Sequence, residues 1–299
     1  ASYKALYQSI QDDPSVSLVL LQHEFGFYAK QEKALHELLH ALQVPVLITF
    51  HTVLPEPDTA LLENVKEICK TAAGIIVMTQ HSKEMLVHHY SIPALKITVI
   101  PHGTHLVPHK DKKLLKEKYG LTGRKVLSTF GLLSAGKSIE TTLSALPAIV
   151  LLDPDVLFLI IGKTHPGVIS NEGERYRESL VAKTKALNLT EHVRFINAYL
   201  PLEELLDYLQ LTDIYIFSSR DPNQTVSGTF SYAISCGCPI ISTPIPHAKE
   251  VLPQEGNVIF DFGNAAQLSK AIVDLLTDDT LRAKTGINSI QHTASTAWD

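Results

Sequence analysis

Cysteine is scarce in this 299-residue chain, with only Cys69, Cys236 and Cys238. So odd and sparse a count excludes a disulfide framework. Cys236-Gly237-Cys238 has no second Cys or His pair at ligand spacing, so it reads as small residues packed in a core. No apolar run reaches the roughly 18–20 residues needed to span a bilayer. The longest, such as Val156–Ile161, have the length of strands. The start, Ala1-Ser2-Tyr3-Lys4, lacks the basic-then-apolar order of a signal peptide, and the cytoplasm is the expected compartment. Positive charge is not in excess either. Lys plus Arg is 26 against 31 Asp plus Glu, a net charge of −5. A nucleic-acid binder built on a basic face is therefore not expected. What is present is 45% apolar and 19% charged residues, the balance of a globular chain with a real core rather than a disordered one.

The length suggests about two domains. Short β-rich runs alternate with longer helical stretches. In the first half the strands are Val16–His23, Val46–His51, Gly74–Thr79 and Ile97–His102, with helices at 29–42, 59–72 and 82–90. In the second half the strands are 125–131, 156–162, 193–199, 214–219, 239–243 and 257–262. Helices fall at 139–151, 174–187, 202–210, 229–235 and 265–276. Apolar strands alternating with amphipathic helices imply parallel sheets covered on both faces. We therefore expect two Rossmann-like doubly wound α/β domains, over 1–108 and 125–299, with a linker at 109–124. The first domain, with about four strands, reads as incomplete, and Thr293–Asp299 reads as the place where another helix would begin.

In such domains ligands bind where strands end at their carboxyl side. Two segments there are rich in Gly, Ser and Lys. The loop Arg220–Thr229 ends in Ser227-Gly228-Thr229 and runs into a small-residue helix, whose free N–H groups favour an anion. Gly131-Leu132-Leu133-Ser134-Ala135-Gly136-Lys137-Ser138 follows the first strand of the second domain. Lys137 is a point cation suited to a diphosphate. This octapeptide also fits the P-loop pattern, so triphosphate hydrolysis is an alternative. Against that, no later strand ends in an Asp well placed for magnesium. Asp153-Pro154-Asp155 precedes its strand and reads as a turn away from any cleft. The histidines, among them His88-His89 and His102/His105/His109, read as loop or surface residues without metal-ligand companions.

Taken together, these segments resemble the retaining glycosyltransferases of family 4, the glycosyl transferases group 1, of GT-B fold. The family's Gly-Arg-Leu-x3-Lys-Gly corresponds to Gly131–Ser138, with Lys137 matched and Leu132 in place of Arg. Val193-Arg194-Phe195-Ile196-Asn197, Glu203-Glu204-Leu205 and Ser235–Thr243 look like further family segments, with Glu250 after the last. Lys96–Gly103 looks like the family's domain junction, Lys-Ile-x-Val-Ile-Pro-Asn-Gly. The family's two Glu separated by seven residues are Gln224 and Tyr232 here. Neither supplies a carboxylate, though both can hydrogen-bond a sugar. Gly162-Lys163-Thr164-His165-Pro166-Gly167 resembles the family's Gly-x-Gly-Pro turn.

The resemblance implies transfer of a hexose from a nucleoside-diphosphate sugar to a carbohydrate or other acceptor hydroxyl, with retention and without metal or cofactor. It implies donor contacts from Gly131, Lys137, Lys163, Gln224, Ser227, Gly228, Thr229 and Tyr232. At the strand ends of the first half it implies His51 for the transferring sugar or phosphate and Glu24 for the acceptor hydroxyl. Lys137 serves the departing diphosphate. Read without the family, His23 and His51 are core or loop histidines, and Glu24 and Lys163 solvated loop residues. The lack of a membrane span leaves room for peripheral membrane contact. Alternatives are a non-catalytic nucleotide-sugar-binding module, a truncated inactive form, or a sugar-nucleotide epimerase.

Overall fold

The computed structural model describes residues 3–28, 30–252 and 258–298. It divides into two compact units, Ala1–His102 with Asn223–Val226, and Gly103–Pro222 with Ser227–Asp299.

The first unit runs α1 (Tyr3–Gln11), β1 (Val19–His23), α2 (Phe25–Tyr28), α3 (Glu32–Ala41), β2 (Val46–Phe50), α4 (Thr59–Thr71), β3 (Gly74–Val77), α5 (Gln80–His88) and β4 (Ile97–Val99). The four strands are parallel and in sequential order, β1-β2-β3-β4. Sequential parallel strands with right-handed crossovers place every connecting helix on one face. The core shows this directly. Val46, Ile48, Phe50, Ile75, Val77 and Ile97 alternate onto the face that packs against Leu35, Leu38, Val65, Ile68 and Leu86. Coverage of both faces was the expectation, yet Leu20, on the opposite face of β1, is 52% exposed. Asp58 caps α4 by accepting the Leu61 N–H at 2.8 Å.

The second unit continues with α6 (Lys112–Lys118), β5 (Lys125–Phe130), α7 (Ile139–Leu152), β6 (Val156–Ile161), α8 (Pro166–Glu172), α9 (Arg175–Ala186) and β7 (Val193–Ile196). It is completed by α10 (Leu202–Leu211), β8 (Ile214–Phe217), α11 (Gly228–Ser235), β9 (Ile240–Ser242), α12 (Pro246–Val251), β10 (Val258–Ile259), α13 (Ala265–Thr277) and α14 (Asp279–Thr296). The sheet order is β10-β9-β8-β5-β6-β7, and every pairing is parallel. This is a doubly wound sheet whose order reverses between β5 and β8. Here both faces are covered. Phe158 and Ile160 of β6 face α7, α9 and α13, while Leu157 and Leu159 face α6, α10 and α11.

Several elements differ from the sequence reading, which named no helix at α8 or α12. The stretch taken as a linker carries α6, whose Leu115 is buried in the core. Its lysines, Lys112 and Lys116, pair with Asp213 at the foot of β8. A continuous helix, α14, already occupies the residues where a new helix was expected to begin. Its apolar pattern is diluted by Ser and Thr, and Thr285, Ser289 and Thr293 are the buried positions, so hydrophobic periodicity misses it. The last strand is the two-residue β10; Asn257, expected to open it, lies outside the described residues, as does Ala29.

Candidate functional site

Beyond the sheet of the second unit, the loops after β5 and β6 stay zipped together. Gly131 N donates to Ile161 O, Leu133 N to Lys163 O at 2.8 Å, and His165 N to Leu133 O at 2.9 Å. The loop after β6 is in turn tied to β7, through Gly162 N to Ile196 O. Gly131 and Gly162 take φ of 128° and 130°, values that strongly favour glycine. Arg177, nearly buried on α9, donates to Gly162 O at 2.8 Å and to Glu174 at 3.2 Å. Thr164 also donates to that Glu174 carboxylate. The loop carrying Lys163 is thus fixed from behind.

These loops border a cavity of about 490 Å³, lined by Gly131, Lys163, Tyr199, Leu202, Leu205 and Tyr232 among others. Lys137 sits beside it. A Cβ on Gly131 would lie 2.8 Å from Lys137 Nζ and 3.0 Å from Thr229 Cγ2, so a side chain there would meet both. Among the described residues Lys137 Nζ has only a long contact, 3.5 Å, to Phe130 O, leaving donor capacity for a ligand. Burial draws its pKa down to about 8. The loop after β8 reaches the same place, for Ser218 Oγ donates to Lys137 O at 2.8 Å and Arg220 N to Gly136 O at 2.8 Å. This is the point where strand order reverses.

Helix α11 starts alongside. Ser227 Oγ accepts the Phe230 N–H, while the Ser227 N–H is donated to His247 Nδ1 at 3.0 Å. Ser227 therefore caps the helix, and Gly228 and Thr229 carry the N–H groups left for an anion. Tyr232, one turn on, stacks on His105 with ring centroids 4.9 Å apart and 18° between planes. The sequence reading took His105 for a surface residue. A contact across 127 positions leaves no local signal. Tyr199, 83% exposed at the rim, was likewise missed, because the loop after β7 holds no motif of its own. Gln224 falls in the Asn223–Val226 segment grouped with the first unit, and its Nε2 donates to Val226 O at 3.4 Å.

In the first unit, Glu24 follows β1 and accepts from Thr52 Oγ1 at 2.8 Å and from Phe25 N at 3.1 Å. His51 follows β2, and its Nε2 lies 2.7 Å from Gln22 Oε1. His23 is instead a core residue, 1% exposed and boxed by Phe25, Tyr28 and Phe50. Burial first, then the charge of His51, draws its pKa down to about 4.

Other motifs take structural roles. Asp153 Oδ2 pairs with Lys125 at 2.9 Å and its Oδ1 accepts from Asp155 N, closing the turn before β6. The P-loop match departs from a P-loop in shape: a short 3-10 turn spans Ala135–Lys137, Ser138 has φ 48°, and α7 begins only at Ile139. Among the described residues no helix is long and apolar enough to cross a membrane.

Two parallel α/β units, the second doubly wound with a Gly- and Lys-bearing cavity beyond its strands, define a GT-B glycosyltransferase fold. The chain belongs to the family described as Glycosyl transferases group 1, matched over residues 111–292; residues 8–107 match the companion description Glycosyltransferase Family 4. It is 25% identical over 232 residues to spore coat protein SA of Bacillus subtilis, covering 74% of this chain and 60% of that protein. It is 25% identical over 240 residues to the D-inositol 3-phosphate glycosyltransferase of Corynebacterium diphtheriae, covering 78% of this chain and 55% of that protein. The matches thus span less than two thirds of these curated relatives. Among solved structures, Anabaena Alr3699/HepE in complex with UDP superposes with a TM-score of 0.80 at 18% identity, covering 98% of this chain and 77% of that one.

Proposed function

We propose that the chain transfers a hexose from a nucleoside-diphosphate sugar to an acceptor hydroxyl, with retention at the anomeric carbon and without a metal. The observation that carries this reading is the Lys137 ammonium beside Gly131 at the edge of the cavity beyond β5–β7, with the start of α11 next to it. On this reading the exposed Tyr199 ring takes the base and the Tyr232 hydroxyl meets the ribose. Gly131 lets the diphosphate approach closely. Lys137, Lys163 and the N–H groups of Gly228 and Thr229 hold it. As the bond from the anomeric carbon to the phosphate oxygen breaks, the diphosphate gains charge, and fixed donors stabilise it without reorganising. The acceptor oxygen bonds to that carbon, and its proton passes to a base. Glu24 is assigned to orient the acceptor hydroxyl and receive its proton, and His51 to hydrogen-bond the transferring sugar, both through the family resemblance. The first unit is thereby the acceptor side and the second the nucleotide side. The UDP held by the Anabaena relative supports a nucleoside-diphosphate ligand.

One observation favours a second reading, a binding module without turnover: Gln224 and Tyr232 stand where the family has two carboxylates. A panel of nucleotide sugars, including UDP-glucose and GDP-mannose, separates the two. Transfer to any hydroxyl acceptor, with NMR showing the donor's anomeric configuration in the product, supports the enzyme. Nucleotide binding with neither transfer nor hydrolysis across the panel supports the module.

A further inference from the structure

Phe130 and Tyr232 meet in the wall of the cavity beyond β5–β7. Their rings form a T-shaped pair, with centroids 6.1 Å apart and 73° between planes. Phe130 is itself backed by the fully buried Tyr215, 6.1 Å away. The second ring against Tyr232 is His105, stacked at 4.9 Å. Rings alone hold Tyr232 in place: among the described residues its hydroxyl has no hydrogen-bond partner.

His105 sits on a fixed backbone. Its N–H donates to Ser235 Oγ at 3.0 Å, and Ser235 lies about one turn beyond Tyr232 on α11. The preceding Thr104 is 1% exposed. It donates through N to Thr296 O at 2.9 Å and through Oγ1 to Thr293 O at 3.0 Å. The segment is thus tied to both α11 and α14. A phenol carries its one oxygen at the end of a rigid ring, so a change of χ1 takes that oxygen out of hydrogen-bond range of any group it meets. The contacts with Phe130 and His105 restrict that change.

We propose that His105 is a positioning residue for the nucleotide: its ring, stacked on Tyr232, holds the phenol hydroxyl where it bonds a ribose hydroxyl. This role rests on the reading that Tyr232 meets the ribose. The test is calorimetry on the full chain with UDP and with 2′,3′-dideoxy-UDP, which keeps base and diphosphate and lacks both ribose hydroxyls. Wild type should bind UDP about three- to tenfold more tightly than the dideoxy form. Tyr232→Phe keeps the ring and should bring that ratio near one. His105→Ala should do the same, weakening UDP about three- to tenfold and leaving the dideoxy form unchanged. His105→Phe, which keeps a ring on Tyr232, should restore the wild-type ratio. If wild type binds GDP instead, the guanine pair serves in the same way.

A histidine that served only the fold would weaken both nucleotides alike. Equal loss for the two in His105→Ala, a wild-type ratio in that variant, or a ratio that His105→Phe fails to restore overturns the proposal. If Tyr232→Phe loses the preference while His105→Ala keeps it, the ribose reading stands and the role of His105 falls. If Tyr232→Phe keeps the preference, if wild type shows none, or if neither UDP nor GDP binds, the ribose reading falls and the role of His105 with it.

Discussion

A Cβ placed on Gly162 would lie 2.0 Å from the carbonyl oxygen of Gly131. The two loops that border the cavity can close to this distance only because neither carries a side chain there. Gly162→Ala must push the loops apart and also holds φ near 130°, so a loss of about 2–4 kcal/mol is expected. Gly120→Ala is the matched control. It has φ 66° with open space around it, and should cost only about 1–2 kcal/mol. Urea unfolding of the two variants checks the difference.

Asp207 is fully buried, yet it accepts from Lys110 and Lys118 at 2.7 Å and from the Tyr119 hydroxyl at 3.0 Å. Burial pushes its carboxyl pKa up, but the two lysines and the tyrosine outweigh this and hold it below the ordinary 3.8. Removing a buried partner can cost about 3–5 kcal/mol. Here both lysine heads reach solvent, so Asp207→Asn should cost less, about 2 kcal/mol. The lowered pKa makes this stabilisation present above pH 3.8 and lost as pH falls below it. The gap between wild type and Asp207→Asn, followed by denaturant titration from pH 7 downward, should close only in that acid range.

His23 should give the opposite kind of pH signature from an ordinary surface histidine. Its pKa falls from 6.5 to about 4 on folding. Between those values the unfolded chain binds a proton that the folded chain does not, so stability is full above pH 6.5 and drains as pH falls toward 4. The shift corresponds to about 3 kcal/mol at most. His23→Phe removes the titrating group and keeps a ring among Phe25, Tyr28 and Phe50. Its stability relative to wild type should therefore rise by an amount of that order between pH 7 and pH 4.5, measured by thermal or urea unfolding.

Much of this architecture could be read from the chain because parallel sheets write themselves as continuous apolar runs. Val156–Ile161 and Ile214–Phe217 are buried along their whole length, and both were evident. Lys137 and Gly131 were evident too, since a strand followed by Gly and Lys marks the carboxyl edge of such a sheet. What escaped did so for physical reasons. Helix α6 is rich in lysine because its outer face pairs with Asp207 and Asp213, so composition suggested a linker. Ser227 looked like a phosphate donor, but a distant histidine, His247, takes its N–H. Tyr199 reaches the cavity, and His105 the Tyr232 ring that lines it, only through tertiary placement. His23, read from the sequence as a core or loop histidine, ends β1 with its ring buried.

The most direct measurement is calorimetric titration of UDP and GDP into wild type and Lys137→Ala, repeated from pH 7 to pH 9.5. Lys137 has no carboxylate partner among the described residues, and its charge titrates near pH 8. If it holds the diphosphate, the wild type should bind at least one nucleotide and weaken above pH 8. Lys137→Ala should bind that nucleotide about 10–100-fold more weakly and lose the alkaline decline. Equal affinity in both proteins, with the same pH profile, would contradict a diphosphate held at this ammonium.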